Sequence, residues 1–231
     1  LESMFNFAHC QADARGALSK PLDRGALGEA MIGEASGAKT PRTARGQKTL
    51  RGLLEAAALE FGARGYHDAA ITGNTGRAGV ALGTFYTYFD SKEELFRALV
   101  RDLSHAVRSP VAEAVRDAPD RIAAERIGLV AFIAFVRRHK ELYRIIEEAQ
   151  FVAPEEYRQH YLTFADGYGR NLAAAAERGE IVAGEDEPPA WALIGMSVFL
   201  GMRYGIWNED MAPEKVADVA IGLVSEGLRK R

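Results

Sequence analysis

Cysteine is almost missing from this chain: Cys10 stands alone among 231 residues. A single thiol excludes an intramolecular disulfide framework and a multi-cysteine metal site. An excess of charge of one sign is lacking too, since 29 Lys and Arg face 32 Asp and Glu, for a formal net charge of −3. The molecule is no polycation, so affinity for nucleic acid has to come from a local basic patch. Apolar runs are short. The longest, Trp191 to Trp207, falls under the ~20 residues a membrane span needs and carries Arg203. Leu1 to Phe7 lacks the basic-then-apolar order of a secretory leader, so a reducing, cytoplasmic setting without membrane contact is expected. The histidines His9, His67, His105, His139 and His160 show no metal-ligand spacing, and Ser197 lacks a G-x-S-x-G setting. With no Gly-rich phosphate loop either, neither catalysis nor a cofactor is expected.

What is present is helical patterning. Residues 1–40 are punctuated by Gly16, Pro21, Gly25, Gly28, Gly33 and Gly37 and read as a flexible N-terminal extension, with at most a short helix near Gly28 to Ile32. Order begins near Arg45. Leu50, Leu53, Leu54, Ala57, Ala58 and Phe61 recur at the spacing of one helix face, and Gly65 sits where a left-handed cap would end it. Ser91-Lys92-Glu93-Glu94 reads as a capping box opening a helix with Leu95, Leu99 and Leu103, closed before Pro110. Further helices are expected at Arg121 to His139, Lys140 to Phe151, Pro154 to about Arg178, Ala190 to Trp207 and Pro213 to Arg229. No stretch alternates as a strand does. The fold class is all-α.

The informative stretch is Ile71 to Phe89. A short helix, a turn at Gly79 and a second short helix make a helix-turn-helix, with Val80 plugging the space between them. Phe85 and Phe89, four apart, face the core. That leaves Leu82, Gly83, Thr84, Tyr86 and Thr87 toward solvent or a DNA groove. Upstream, Lys39, Arg42, Arg45, Lys48 and Arg51 form a run with no acidic residue between them, suited to phosphates or an adjacent minor groove, or to a solvated tail. Asn74, flanked by Gly73 and Gly76, is the discordant feature. Two glycines in a short helix cost about 2 kcal/mol relative to alanine, and an unpaired buried amide about 1–3 kcal/mol more.

Ala78-Gly79-Val80, Gly83-Thr84-Phe85-Tyr86, Tyr88-Phe89 and Ser91-Lys92-Glu93-Glu94-Leu95-Phe96 together resemble the DNA-binding signature of the TetR family, over roughly Arg45 to Leu103. The resemblance implies a three-helix DNA-binding head, residues 41–105, on a helical ligand-binding and dimerisation body, residues 106–231. It carries the family's DNA contacts onto Thr72, Leu82, Gly83, Thr84, Tyr86, Thr87 and Lys92. It departs at Asn74, where the family has an aliphatic core residue. The function implied is a repressor that binds palindromic operator DNA as a homodimer and is released by a small effector. The alternative is a small-molecule-binding helical dimer whose head binds DNA weakly.

The body is rich in aromatic and flexible apolar side chains. Phe132, Phe135, Tyr143, Ile146, Phe164, Tyr168 and Phe199 are candidates to line a ligand cavity, and the lone cation Arg203 either neutralises a ligand anion or forms an ion pair. Gly201 and Gly205 keep one flank of the penultimate helix small, for a close approach by a dimer partner or by a helix of the same chain. Ile145-Ile146-Glu147-Glu148-Ala149 with Phe164-Ala165-Asp166-Gly167-Tyr168 is similar to TetR-type regulators of fatty-acyl or aryl-acid catabolism, which implies an acyl-CoA or aryl-acid effector.

Overall fold

The computed structural model describes residues 41–182, 184 and 187–226; the expected N-terminal extension and Lys39 lie outside them. Among the described residues there is no strand. Thr43 starts α1 (Ala44–Asp68) by accepting the amide of Gly46 on its hydroxyl at 3.1 Å. The helical path breaks at Gly65, whose φ of 77° and ψ of 165° lie at positive φ but outside the left-handed helical basin expected there. Next come α2 (Ile71–Ala78) and α3 (Leu82–Tyr88). Between them Gly79 adopts φ 67° and ψ 32°, the left-handed cap the tight turn requires.

Ser91 caps α4 (Lys92–Ala114) by accepting from the Glu94 amide at 3.1 Å, while the Glu94 carboxylate accepts from the Asp90 amide at 2.6 Å. This closes the reciprocal cap one residue upstream of its usual partner. Contrary to expectation, α4 does not stop before Pro110 but runs through it to Ala114. Proline removes one backbone donor and crowds the preceding turn. Packing overrides that cost: Val111 and Val115 lie against Gly128 of α5 (Arg121–Arg138), where a side chain would already touch both.

The chain continues through α6 (Lys140–Val152), α7 (Pro154–Glu177) and α8 (Glu187–Gly201). A wide π-helical turn (Met202–Trp207) follows, closed by the Asn208 amide on the Arg203 carbonyl, and α9 (Pro213–Glu226) ends the described chain. Gly201 packs on the Phe132 ring and Gly205 on Val136, so the small flank admits α5 of the same chain. A dimer partner is not what these glycines accommodate.

One core cluster joins the head to the adjoining part of the body. Phe61, Phe85, Phe89, Phe96 and Leu99 pack with Phe135, Leu142 and Ile145, all buried. Aromatic edges lock it: Phe61 meets Phe96 at 5.1 Å, and Tyr66 meets Phe96 at 5.0 Å. The helix-turn-helix is thereby clamped to α4 and, through it, to the body.

Candidate nucleic-acid interface and ligand cavity

Phe85 and Phe89 are fully buried, which turns the opposite side of α3 outward. Leu82 and Tyr86 are 44% and 48% exposed, and Gly83 and Thr87 are exposed beside them, with Thr84 half-buried. No intrachain partner holds the Tyr86 hydroxyl among the described residues. Thr72 on α2 is exposed too, as are Arg42, Arg45 and Lys48 around the start of α1. Three cations at the positive end of a helix dipole oppose helix stability and favour an anion. From Ala69 to Phe89 the chain carries no carboxylate, and its one charge, Arg77, is exposed and paired with Glu60.

That pairing organises the underside of α2. The Glu60 carboxylate, 2% exposed, accepts from Arg77 at 2.7 Å and from Arg64 at 3.1 Å. Its oxygen occupies the space a Gly73 side chain would fill, at 2.4 Å from the ideal Cβ position. Gly73 is therefore required by close approach, whereas nothing lies within 4 Å of the corresponding position at Gly76. Asn74 is buried, and its Nδ2 donates to the Leu53 carbonyl at 3.0 Å while Oδ1 finds no partner. The cost of burying the Asn74 amide is thereby half removed. Asn74→Ile is expected to raise the melting temperature by a few degrees, about 1 kcal/mol, by deleting the unpaired acceptor. An unchanged or lower transition in thermal denaturation refutes this.

Lys92 sits differently from the expectation of a phosphate contact. Its Nζ donates to the carbonyls of Tyr66 at 2.8 Å, His67 at 3.1 Å and Ala69 at 2.9 Å, and lies 4.6 Å from the Tyr66 ring centre. All three donors close the C-terminal end of α1, where free carbonyls gather. Lys92→Met should destabilise the head by about 2 kcal/mol, as expected for charge-assisted hydrogen bonds. A chemical-denaturation midpoint equal to that of the unaltered chain would sink this assignment.

Beneath the head lies a cavity of about 1730 Å³, partly open to solvent and lined by α4, α5, α6, α7 and α8. Phe132, Phe135, Tyr143, Ile146, Phe164, Tyr168 and Phe199 all line it. Arg203 does not. It pairs with Asp210 at 3.1 Å and stacks on Tyr204 at 4.7 Å, because the π-helical turn swings it away from the cavity. One stripe of α5, from Arg121 through Gly128 and Phe132 to His139, runs the cavity's length. The 18 residues of that helix span about 27 Å, room for an extended chain.

Sequence reasoning missed the polar groups in this wall. The His160 Nδ1 lies 2.7 Å from the Ser104 hydroxyl, which donates to the Val100 carbonyl at 2.8 Å, so the ring donates at Nδ1 and Nε2 is left as an acceptor. Burial, aided by Arg108, lowers His160 to about 4, so it is neutral at pH 7. The Tyr143 hydroxyl donates to the Val198 carbonyl at 2.8 Å, and burial raises its pKa, with Glu147 adding to the effect. Arg121 and Glu125 form a buried ion pair at 2.6 Å. Their i, i+4 spacing, in phase with Gly128 and Phe132, is the signal that exposes them in the sequence.

α6 belongs to both regions. Tyr143 and Ile146 face the cavity, while Arg144 donates to the Gly62 carbonyl at 3.2 Å and Glu148 accepts the Tyr66 amide at 2.7 Å. Gly62 and Gly65 have no room for side chains, since Glu141, Arg144 and Glu148 fill those positions. On α4, Asp102 lies near Arg51 and Glu55 of α1, with Oδ2 buried and unpartnered. Burial pushes Asp102 up to about 6 against the pull of Arg51 and with the help of Glu55. A carboxyl whose folded pKa lies above its unfolded value destabilises the fold once ionised, as pH rises from about 4 through 6. Asp102→Asn should therefore stabilise the protein at pH 8, with the gain fading to nothing below pH 4. Thermal melts across that range test it, and a gain that grows toward acid refutes it.

This geometry joins a helix-turn-helix to a helical body with a ligand-sized cavity. Residues 53–99 match the family described as bacterial regulatory proteins, tetR family. It is 35% identical over 121 residues to the HTH-type transcriptional activator FasR of Mycolicibacterium smegmatis, covering 52% of this chain and 53% of that one. The matched stretches span from a third to about half the length of the curated relatives. The fold is similar to the transcriptional regulator FadR of Bacillus subtilis in complex with stearoyl-CoA, with a TM-score of 0.68 and 15% identity over 77% of this chain and 98% of that chain. It is similar also to AibR in complex with isovaleryl coenzyme A and operator DNA, with a TM-score of 0.60 and 21% identity over 76% and 97%.

Proposed function

We propose that this protein is a ligand-responsive repressor that binds palindromic operator DNA as a homodimer and lets go when an acyl-type effector fills the body cavity. The observation that carries the reading is the outward, carboxylate-free face of α3 above the cations of α1. Thr72, Gly83, Thr84 and Thr87 offer small groups to base edges, and Tyr86 and Arg45 reach phosphates. The head takes residues 41–105 and the body 106–231, with α4 crossing the boundary.

Dimerisation falls to α8 and α9. Val219 and Leu223, 62% and 46% exposed, form an uncovered apolar ridge on α9 that a second copy would bury. Two recognition helices about 34–36 Å apart then meet successive major-groove faces. α6 supplies the coupling: a ligand pressing on Tyr143 and Ile146 shifts Arg144 and Glu148, which hold the α1 end of the head. Such coupling is typically ~1–3 kcal/mol. The acyl assignment draws on the elongated apolar cavity and on the coenzyme A thioesters held by the two structural relatives.

The decisive experiment is a gel-shift titration of the full chain on the DNA upstream of its own gene, across salt concentrations and with or without a series of acyl-CoAs. Binding that falls steeply with salt and is weakened by an acyl-CoA is the expected result. Absence of binding at low salt removes the regulator reading. Binding that no acyl-CoA alters removes the effector assignment.

A further inference from the structure

Where α4 meets α7, the cavity wall carries two polar groups around a single residue. Ser104 of α4 holds both: its carbonyl accepts from Arg108 Nε at 3.0 Å, and its hydroxyl oxygen lies 2.7 Å from His160 Nδ1 of α7. Because that hydroxyl gives its proton to the Val100 carbonyl, the ring donates at Nδ1 and presents a lone pair at Nε2. Tyr161 and Phe164, with ring centres 5.0 Å and 4.9 Å away, fix the plane of the imidazole. Arg108 donates from Nη2 to His105 Nδ1 at 2.7 Å, which leaves Nη1 without a partner among the described residues. Neither free atom is sealed in. His160 Nε2 and Arg108 Nη1 both keep accessible surface, and both residues line the cavity. His160 as a whole is only 8% exposed, so the surface left to it is cavity surface.

An acceptor and a cationic donor flanking one residue select a ligand group of the opposite pattern. A plain hydrocarbon laid there would strip water from both atoms and bond neither. An ammonium at Nε2 would be repelled by Arg108, and a carboxylate oxygen there would meet a lone pair. A trans amide points its N–H and C=O in opposite directions and answers only one of the two. A hydroxyl on the second or third carbon of an acyl group can turn toward the same wall as the carbonyl. The carbonyl oxygen then accepts from Arg108 Nη1 while the hydroxyl donates to His160 Nε2.

We propose that this α4–α7 wall is a subsite for a hydroxyacyl group, its carbonyl on Arg108 and its hydroxyl on His160. The proposal rests on the acyl-effector reading above and narrows it to acyl groups hydroxylated beside the carbonyl, as a thioester or as the free acid. The hydrocarbon tail lies along Phe132 and Gly128 of α5, which line the same cavity. Attachment at three points, tail, carbonyl and hydroxyl, fixes the handedness of the carbon that bears the hydroxyl. Ser104 is a positioning residue: it sets the tautomer of His160 through Nδ1 without touching the ligand.

Calorimetry on the full chain tests it, comparing dodecanoyl-CoA with the separate enantiomers of 2- and 3-hydroxydodecanoyl-CoA and with the corresponding free hydroxy acids. One enantiomer of a hydroxylated thioester is expected to bind about tenfold tighter than dodecanoyl-CoA, the factor one further hydrogen bond supplies. His160→Phe keeps a ring beside Tyr161 and Phe164 but has no acceptor. It should abolish the preference while leaving dodecanoyl-CoA within a few-fold. Ser104→Ala releases the tautomer and should shrink the preference several-fold, which serves the same comparison if His160→Phe does not fold. Hydroxylated ligands that bind no better than dodecanoyl-CoA, enantiomers that bind alike, or a preference that outlasts these variants overturn the subsite and leave the acyl reading standing. A free hydroxy acid that binds in one handedness while no thioester binds keeps the subsite and overturns the coenzyme A assignment. If nothing binds, both fall.

Discussion

Gly83→Glu is expected to lower operator affinity by at least about 100-fold while leaving the melting temperature nearly unchanged. Nothing lies within 4 Å of the position a side chain would take at Gly83, so the fold does not resist the change. The chain from Ala69 to Phe89 carries no carboxylate, and on the proposed docking a negative charge at this position would face the phosphates of both strands. Like-charge juxtaposition in an interface costs several kcal/mol, enough for that factor. Gly83→Ala is the control and should stay within a few-fold of the unaltered chain. Equal affinities of the Glu variant and the unaltered chain in a fluorescence-anisotropy titration would show that α3 is not the reading surface.

The second large effect divides two glycines of one short helix. Gly73→Ala places a methyl group 2.4 Å from a Glu60 oxygen that two arginines hold in place, so either the α1–α2 contact opens or the ion pairs break. A loss of about 2–3 kcal/mol is expected, in the range of overpacked cores. Gly76→Ala meets open space and should gain up to about 1 kcal/mol from helix propensity alone. The same substitution three residues apart thus moves stability in opposite directions. Urea denaturation of the two variants reads it directly, and two shifts of the same sign would contradict the Glu60 geometry.

Much of the head was legible because its information is local. The spacing of Phe85 and Phe89 settles which side of α3 is buried, and the structure turns Leu82, Gly83 and Tyr86 outward accordingly. Gly79 occupies the left-handed cap that its place in the sequence demanded. The cavity was legible in outline, since its aromatic lining recurs at helical spacing. What escaped reading was decided by contacts across long stretches of chain. Lys92 meets carbonyls some two dozen residues upstream, and no local pattern separates that role from a phosphate contact. Arg203 was drawn off by a π-helical turn, whose extra residue per turn rotates every later side chain. Pro110 announces a helix end locally, yet the valines after it pack on Gly128 and keep the helix going.

The two-faced character of α6 bears on any effort to retune this protein as a biosensor. On the proposed function, cavity-lining side chains outside the core shared with the head, such as Leu162 and Tyr168 of α7, are open to redesign for a new analyte without altering the output. On the same reading, changes on α6 would rewrite input and output together, because that helix lines the cavity on one flank and holds α1 of the head on the other. A library confined to the first group should yield altered specificity at constant dynamic range.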